Sequence, residues 1–170
     1  MSLKWIGAVL ILCGTGGVGL AIACGVQREA EALRQLLIAL EFMESELEYR
    51  LTPLPELCRR TAERVNGCVS RFFAALAAEL EGQIAPDASA CTCVVLRQSP
   101  ALPPKTAAAL GELGRGLGNL NLDGQLRQLR AAQKSCRETR RQLEEGKQQR
   151  LRSYQTLGLC AGAALAILLL

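Results

Sequence analysis

The sequence contains no histidine. That removes the side chain most often used as a general base near neutral pH and the commonest metal ligand. Aromatic residues make up 4% of the chain, too few for platforms on which successive nucleic-acid bases stack. A concentrated basic face is missing as well, because 20 basic and 16 acidic residues leave only +4. No hydrolase, transferase or redox motif of the familiar kinds occurs. These absences speak against catalysis, against a cofactor and against a nucleic-acid partner. Gly14-Thr15-Gly16-Gly17-Val18-Gly19 does satisfy G-x-G-x-x-G. A dinucleotide site would also need a strand before it and further βαβ units after it, whereas the residues beyond Gly19 read as helix.

Charge is missing from both ends. Residues 5–26 and 153–170 carry none, and Lys4 is the one charged residue outside the interval between them. Trp5–Val26 makes about 33 Å of helix and Tyr154–Leu170 about 26 Å, against a hydrocarbon core of about 30 Å. Both ends are therefore expected to span a membrane, as residues 1–26 and 153–170. Gly17, Ala21 and Gly25, and then Gly158, Gly162 and Ala166, stand four apart. Such rows of small residues suit close packing between membrane helices. A lipoprotein reading competes at the first span, since Ala21-Ile22-Ala23-Cys24 loosely resembles a cleavage site that would lipidate Cys24; the apolar run is longer than a signal segment needs, and only Lys4 flanks it. Basic residues follow the first span and precede the second. The positive-inside rule then puts residues 27–152 in the cytoplasm, beneath the cell membrane.

Eight cysteines are many for 170 residues. Cys13, Cys24 and Cys160 lie in the uncharged ends. Cys58, Cys68, Cys91, Cys93 and Cys136 are odd in number and irregular in spacing, which suits reduced thiols in a cytoplasmic compartment. Cys91 and Cys93 form a Cys-x-Cys that would need Cys58 and Cys68 to complete a four-thiolate site. The 58–68 spacing is wrong for a zinc knuckle. Core cysteines on adjacent sides of a helix are the simpler reading, with a metal-dependent regulator as the alternative.

The middle of the chain reads as helices around Leu33–Ala62. Leu33, Leu36, Leu40, Met43 and Leu47 form one seam, and Ile38, Phe42 and Tyr49 lie off it, so the helix is expected to pack on two sides. It continues from the first span without a breaker up to Pro53. Thr52 and Pro53 suit the cap and first position of a second helix, closed by Asn66-Gly67. Val69–Glu81 comes next, with Val69, Phe72, Phe73, Leu76 and Leu80 as its stripe and Gly82 as its end. Asp87 is placed to cap a helix to about Gln98. After the turn-rich Ser99–Pro104, a fifth helix covers Lys105–Leu117. A sixth starts near Asp123 and runs into the C-terminal span, with sparse inward positions at Leu126, Leu129, Cys136 and Leu143. The expected fold is all-α: a cytoplasmic bundle of about six helices between two transmembrane helices.

Glu41, Glu44 and Glu48 share one helix face, with Glu46 nearby. Clustered carboxylates can hold calcium or magnesium or do acid–base work, but nothing else in the chain supplies the remaining chemistry. A solvated face or a docking face for a basic partner fits better, with Arg34, Arg59, Arg60 and Arg64 as internal counter-charges. Arg137–Arg152 is the corresponding basic stretch.

Several of these residues together resemble the stage III sporulation protein AB family of endospore-forming bacteria. The likeness is carried by Glu44-Ser45-Glu46-Leu47-Glu48-Tyr49 and Thr52-Pro53-Leu54-Pro55-Glu56. Arg71-Phe72-Phe73, Leu113-Gly114, Leu117-Gly118, Asp123-Gly124-Gln125 and the apolar Gly158–Leu170 end add to it. A tryptophan expected near 88–96 is replaced by Ala88-Ser89-Ala90-Cys91-Thr92-Cys93. The resemblance implies a non-enzymatic membrane component of the complex linking mother cell and forespore. Its soluble part would be similar to the cytoplasmic domain of the type II secretion system F platform protein, coupling a cytoplasmic ATPase to membrane rings. Other stage III sporulation proteins, and further copies of the chain, are the implied partners. Glu44, Glu46, Glu48, Tyr49, Thr52, Pro53 and Leu54 become the candidate interaction or structural signature.

Overall fold

The computed structural model describes residues 2–82, 87–116 and 122–169, with side chains described for 24–82, 87–116 and 122–146. The described residues form six helices and no strand: α1 (Ser2–Arg50), α2 (Leu54–Arg64), α3 (Gly67–Glu81), α4 (Ala88–Gln98), α5 (Pro104–Gly116) and α6 (Leu122–Leu169). They fall into two compact units, one of residues 28–140 and one of the terminal segments 1–27 and 141–170. The expected continuity of the first segment with the Leu33 helix is found in α1. Among the described residues, no helix is long and apolar enough to cross a membrane. The side chains of Gly17, Ala21, Gly158, Gly162 and Ala166 lie outside the described residues. Gly25 is exposed, with open space where a Cβ would stand.

In unit 28–140, α2 packs on α3, α3 on α4, and α4 on α5. Phe72 and Phe73 of α3 are both buried and meet edge to face, ring centroids 5.5 Å apart. That geometry aligns the positive edge of one ring with the negative face of the other. Leu33, Leu36, Leu40 and Met43 of α1, Leu57 of α2, Val95 of α4, Leu110 of α5 and Leu129 of α6 complete the interior. Buried positions on α1 between Glu29 and Leu47 sweep about 200° of its circumference at 100° per residue, but the second face expected at Ile38, Phe42 and Tyr49 lies outside that arc: Ile38 and Phe42 are only half-buried. Tyr49 is excluded from that surface. It is 80% exposed, on the side of α1 opposite the buried seam.

Two expected caps differ from each other in outcome. Asp87 does cap α4, accepting from the Ala90 N–H at 2.7 Å. Thr52 does not cap α2: the N-cap is Pro53, without a side-chain bond, and Thr52 is drawn back to α1. The α2–α3 turn ends in Gly67 at φ +73°, a left-handed conformation that glycine adopts without the Cβ penalty. α3 therefore begins at Gly67 rather than Val69.

Candidate functional site

The sequence-derived signature lies at the end of α1, and its residues have distinct environments. Glu46 is buried. Its Oε2 accepts from the Thr52 hydroxyl at 3.0 Å and faces Arg60 Nη1 at 3.4 Å, and its Oε1 is 3.6 Å from Arg50 Nη1. This carboxylate ties the corner between α1 and α2 to both helices, and it is why Thr52 is unavailable as a cap. Pro53 is exposed and Leu54 half-buried. Between them and α1, Leu51 takes φ +51° and is 66% exposed. A bulky residue rarely adopts this conformation, which costs roughly 1–3 kcal/mol.

The acids on the outer face of α1 meet α6. Glu44 Oε1 accepts from Arg130 Nε at 2.6 Å and Oε2 from Gln133 Nε2 at 2.7 Å. Glu41 accepts from Arg137 Nη2 at 2.8 Å, and Glu48 stands 4.0 Å from Arg130. The main counter-charges of this face thus come from α6. Of the expected donors, Arg60 does reach one of these acids, Glu46, besides Glu56, whereas Arg34 pairs with Glu31, Arg59 with Glu56 and Glu63, and Arg64 with none of Glu41, Glu44, Glu46 and Glu48. Among the described side chains of α6, buried positions are few, chiefly Leu129, Gln133 and Cys136. Polar contacts therefore carry much of its attachment to α1, and they set the two helices antiparallel.

The Arg130 guanidinium, and then Gln133, hold the Glu44 carboxyl below the ordinary glutamate value of 4.5. A depressed folded-state value means this contribution to stability is fully present above 4.5 and is lost as the pH falls through the lower folded value. The unfolding midpoint of the wild type should exceed that of Glu44→Gln at neutral pH. The gap should close as the pH falls below 4.5, which denaturant titrations along a pH series would read.

Three further polar residues of this unit carry no signal in the sequence. Glu29 of α1 is buried, and its Oε1 accepts from both the backbone N–H and the hydroxyl of Thr106, each at 3.0 Å. Thr106 is the third residue of α5, and the residue before that helix is Pro103, which has no acceptor side chain. A carboxylate 77 positions away in the chain thus does the work of an N-cap. Gln35 accepts from the Asn66 N–H at 3.1 Å and donates to Glu31. Gln128 of α6 donates to the Glu112 and Leu113 carbonyls at 3.0 and 3.3 Å, closing the C-terminal end of α5. Each is a long-range contact to a helix end or a turn, for which helical periodicity gives no signal.

The cysteines divide by burial. Cys58, Cys91 and Cys136 are buried, Cys68 is half-buried and Cys93 is exposed. Cys91 and Cys93 are thus not both core residues: helical spacing turns the second out to solvent. Burial pushes the Cys58 thiol up to about 12 and the Cys136 thiol up to about 11. No three metal-binding side chains converge among the described residues. In a native protein treated with a maleimide, Cys93 should react within minutes and Cys58, Cys91 and Cys136 only after unfolding, as peptide mass mapping would show.

The fold and its polar set define an all-helical bundle domain in which carboxylates and amides of α1 and α6 fix the ends and spacing of the other helices. The family model for Stage III sporulation protein AB matches residues 4–170, and the chain belongs to that family. It is similar to the Stage III sporulation protein AB of Bacillus subtilis (strain 168), 25% identical over 170 residues, covering 99% of each chain. A solved structure of a Stage III sporulation protein AB superimposes with a TM-score of 0.63 at 22% identity, covering 72% of this chain and 98% of that one. Membership places the chain among sporulation proteins.

Proposed function

We propose that the protein is a non-enzymatic membrane platform in the complex that joins mother cell and forespore during spore formation. Residues 1–26 and 153–170 cross the mother-cell membrane around the forespore, and residues 27–152 face the cytoplasm. A cytoplasmic ATPase encoded with it and other stage III sporulation proteins are the partners this reading requires. The observation that carries it is family membership over residues 4–170, joined to two uncharged ends of spanning length around a charged helical middle. The internally engaged carboxylates support a scaffold role, because Glu29, Glu44 and Glu46 act on the domain's own helices. Reporter fusions at both ends and within residues 83–86, combined with complementation of a deletion strain, test it. The expected result is a cytoplasmic middle and restored spores. A middle segment reporting from outside the cytoplasm contradicts the topology.

A further inference from the structure

We infer that the protein rests on anionic phospholipid headgroups, through Arg28 and Lys105 at one end of unit 28–140 and through Lys147, Arg150 and Arg152. The inference rests on the platform reading, which supplies the bilayer. It adds the class of lipid and the residues that meet it.

The fold brings Lys105 to the level of Arg28. Arg28 precedes Glu29, whose carboxylate accepts from Thr106, and Lys105 precedes Thr106. The direction of α5 follows from its two ends. It starts at Glu29 and finishes at Gln128 of α6, which donates to the Glu112 and Leu113 carbonyls. Gln128 is half a turn before Arg130, the partner of Glu44 and Glu48. α5 therefore runs the same way as α1, and Pro104 and Lys105, both exposed, lie at its residue-28 end.

Chain continuity sets the depth. The uncharged stretch ends at Val26 and Glu29 follows on the same helix, about 4.5 Å farther along its axis. A bilayer's headgroup layer is about 5–8 Å thick on each side of its hydrocarbon core. With residues 1–26 spanning, the Glu29–Thr106 contact lies at headgroup depth. The exposed guanidinium of Arg28 and ammonium of Lys105 beside it then stand among phosphates.

Charge selects anionic lipid. Arg28 is the one charge between Lys4 and Glu29, and Lys105 the one between Arg97 and Glu112. The acids beside Arg28 are engaged inside the domain: Glu29 is buried on Thr106, and Glu31 accepts from Arg34 and Gln35. Lys147, Arg150 and Arg152 lie immediately before residues 153–170, and no acid follows Glu145. Each group is held at the surface by its own segment, so neither needs the other. Basic residues clustered beside a membrane span in this way attract anionic headgroups, over about one Debye length of 8 Å. Lys134 lies beyond that reach: it follows Gln133, which bonds Glu44, about 22 Å along α1 from Glu29.

The chain's lysines are Lys4, Lys105, Lys134 and Lys147, which makes lysine acylation, mapped by peptide mass, a direct probe. The full-length protein is placed in nanodiscs of phosphatidylcholine, alone or mixed with phosphatidylglycerol. In the mixed discs Lys105 and Lys147 should react about fivefold more slowly, and Lys134 at an unchanged rate. Arg28→Glu should return Lys105 towards its phosphatidylcholine rate without moving the thermal midpoint. Inorganic phosphate added to the phosphatidylcholine discs should protect neither lysine. Equal Lys105 rates in the two discs overturn the inference, as does equal slowing at Lys134 or protection by free phosphate. Protection of Lys105 only in native membranes from sporulating cells overturns it too, because a protein would then cover the site. A chain that enters neither disc overturns the spans of the platform reading, and the inference with them.

Discussion

Glu29→Ala should destabilise the domain by about 3 kcal/mol, because two buried donors of Thr106 lose their only charged acceptor. Removing one partner of a buried hydrogen bond exposes the other to its full desolvation penalty, about 1–3 kcal/mol for each donor. The backbone N–H concerned belongs to the first turn of α5, where the helix dipole also favours a negative charge. Glu29→Gln keeps an acceptor oxygen and forfeits only the charge, so it should cost about 1 kcal/mol. The unfolding midpoint of the alanine variant should lie roughly 10 °C below wild type. Hydrogen exchange should rise first at the start of α5. Equal midpoints for the alanine and wild-type proteins would mean that the carboxylate does not bear on α5 in solution.

The second large effect is expected at Gly114 in the last turn of α5. A Cβ built there would run into Thr92 Cγ2 of α4 and stand 2.5 Å from Thr92 Oγ1 and 2.6 Å from Thr92 Cβ, distances that real Cβ atoms do not keep. Glycine inside a helix ordinarily costs about 0.5–1 kcal/mol relative to alanine. Its presence here is explained by the close approach of α4 and α5. Thr92 cannot swing clear, since it is buried and its hydroxyl donates to the Ala88 carbonyl at 2.8 Å. Gly114→Val should therefore lose about 3 kcal/mol through overpacking, and Gly114→Ala about 1–2 kcal/mol despite its better helix propensity. Thr92→Ala removes two of the three clashing atoms and should recover part of the loss, giving a favourable coupling in a double-mutant cycle. Additive losses would mean that the two helices do not meet at this pair.

The helices are legible in the sequence because the chain marks their ends: Pro53 after α1, Asn66-Gly67 between α2 and α3, Asp87 before α4, and Pro103-Pro104 before α5. The seam of Leu33, Leu36, Leu40, Met43 and Leu47 is legible because 3.6-residue periodicity places them together. What periodicity omits is the identity of a partner. It sets Glu41, Glu44 and Glu48 on one face without indicating that Arg130, 86 positions beyond Glu44, meets them. Glu29 resembles any other acid in the charged part of α1, and only the fold brings Thr106 to it. Tyr49 misleads for the converse reason: an aromatic residue near a seam looks like core, although its helical phase turns it away from buried Leu47. Thr52 carries a sound cap signal, overridden by the buried Glu46 carboxylate, which takes its hydroxyl first.

The central claim is that the acidic face of α1 holds α6 in place and that docking occurs elsewhere. The charge swap Glu44→Arg with Arg130→Glu tests it most directly, by thermal unfolding of the purified full-length protein and by spore counts in the complemented strain. Each single substitution should lower the midpoint and the spore count together. The double substitution should restore both, since the pair is rejoined with its signs exchanged. A double variant that regains its unfolding midpoint but makes no spores would contradict the account, because it would show that Glu44 is needed by a partner rather than by α6.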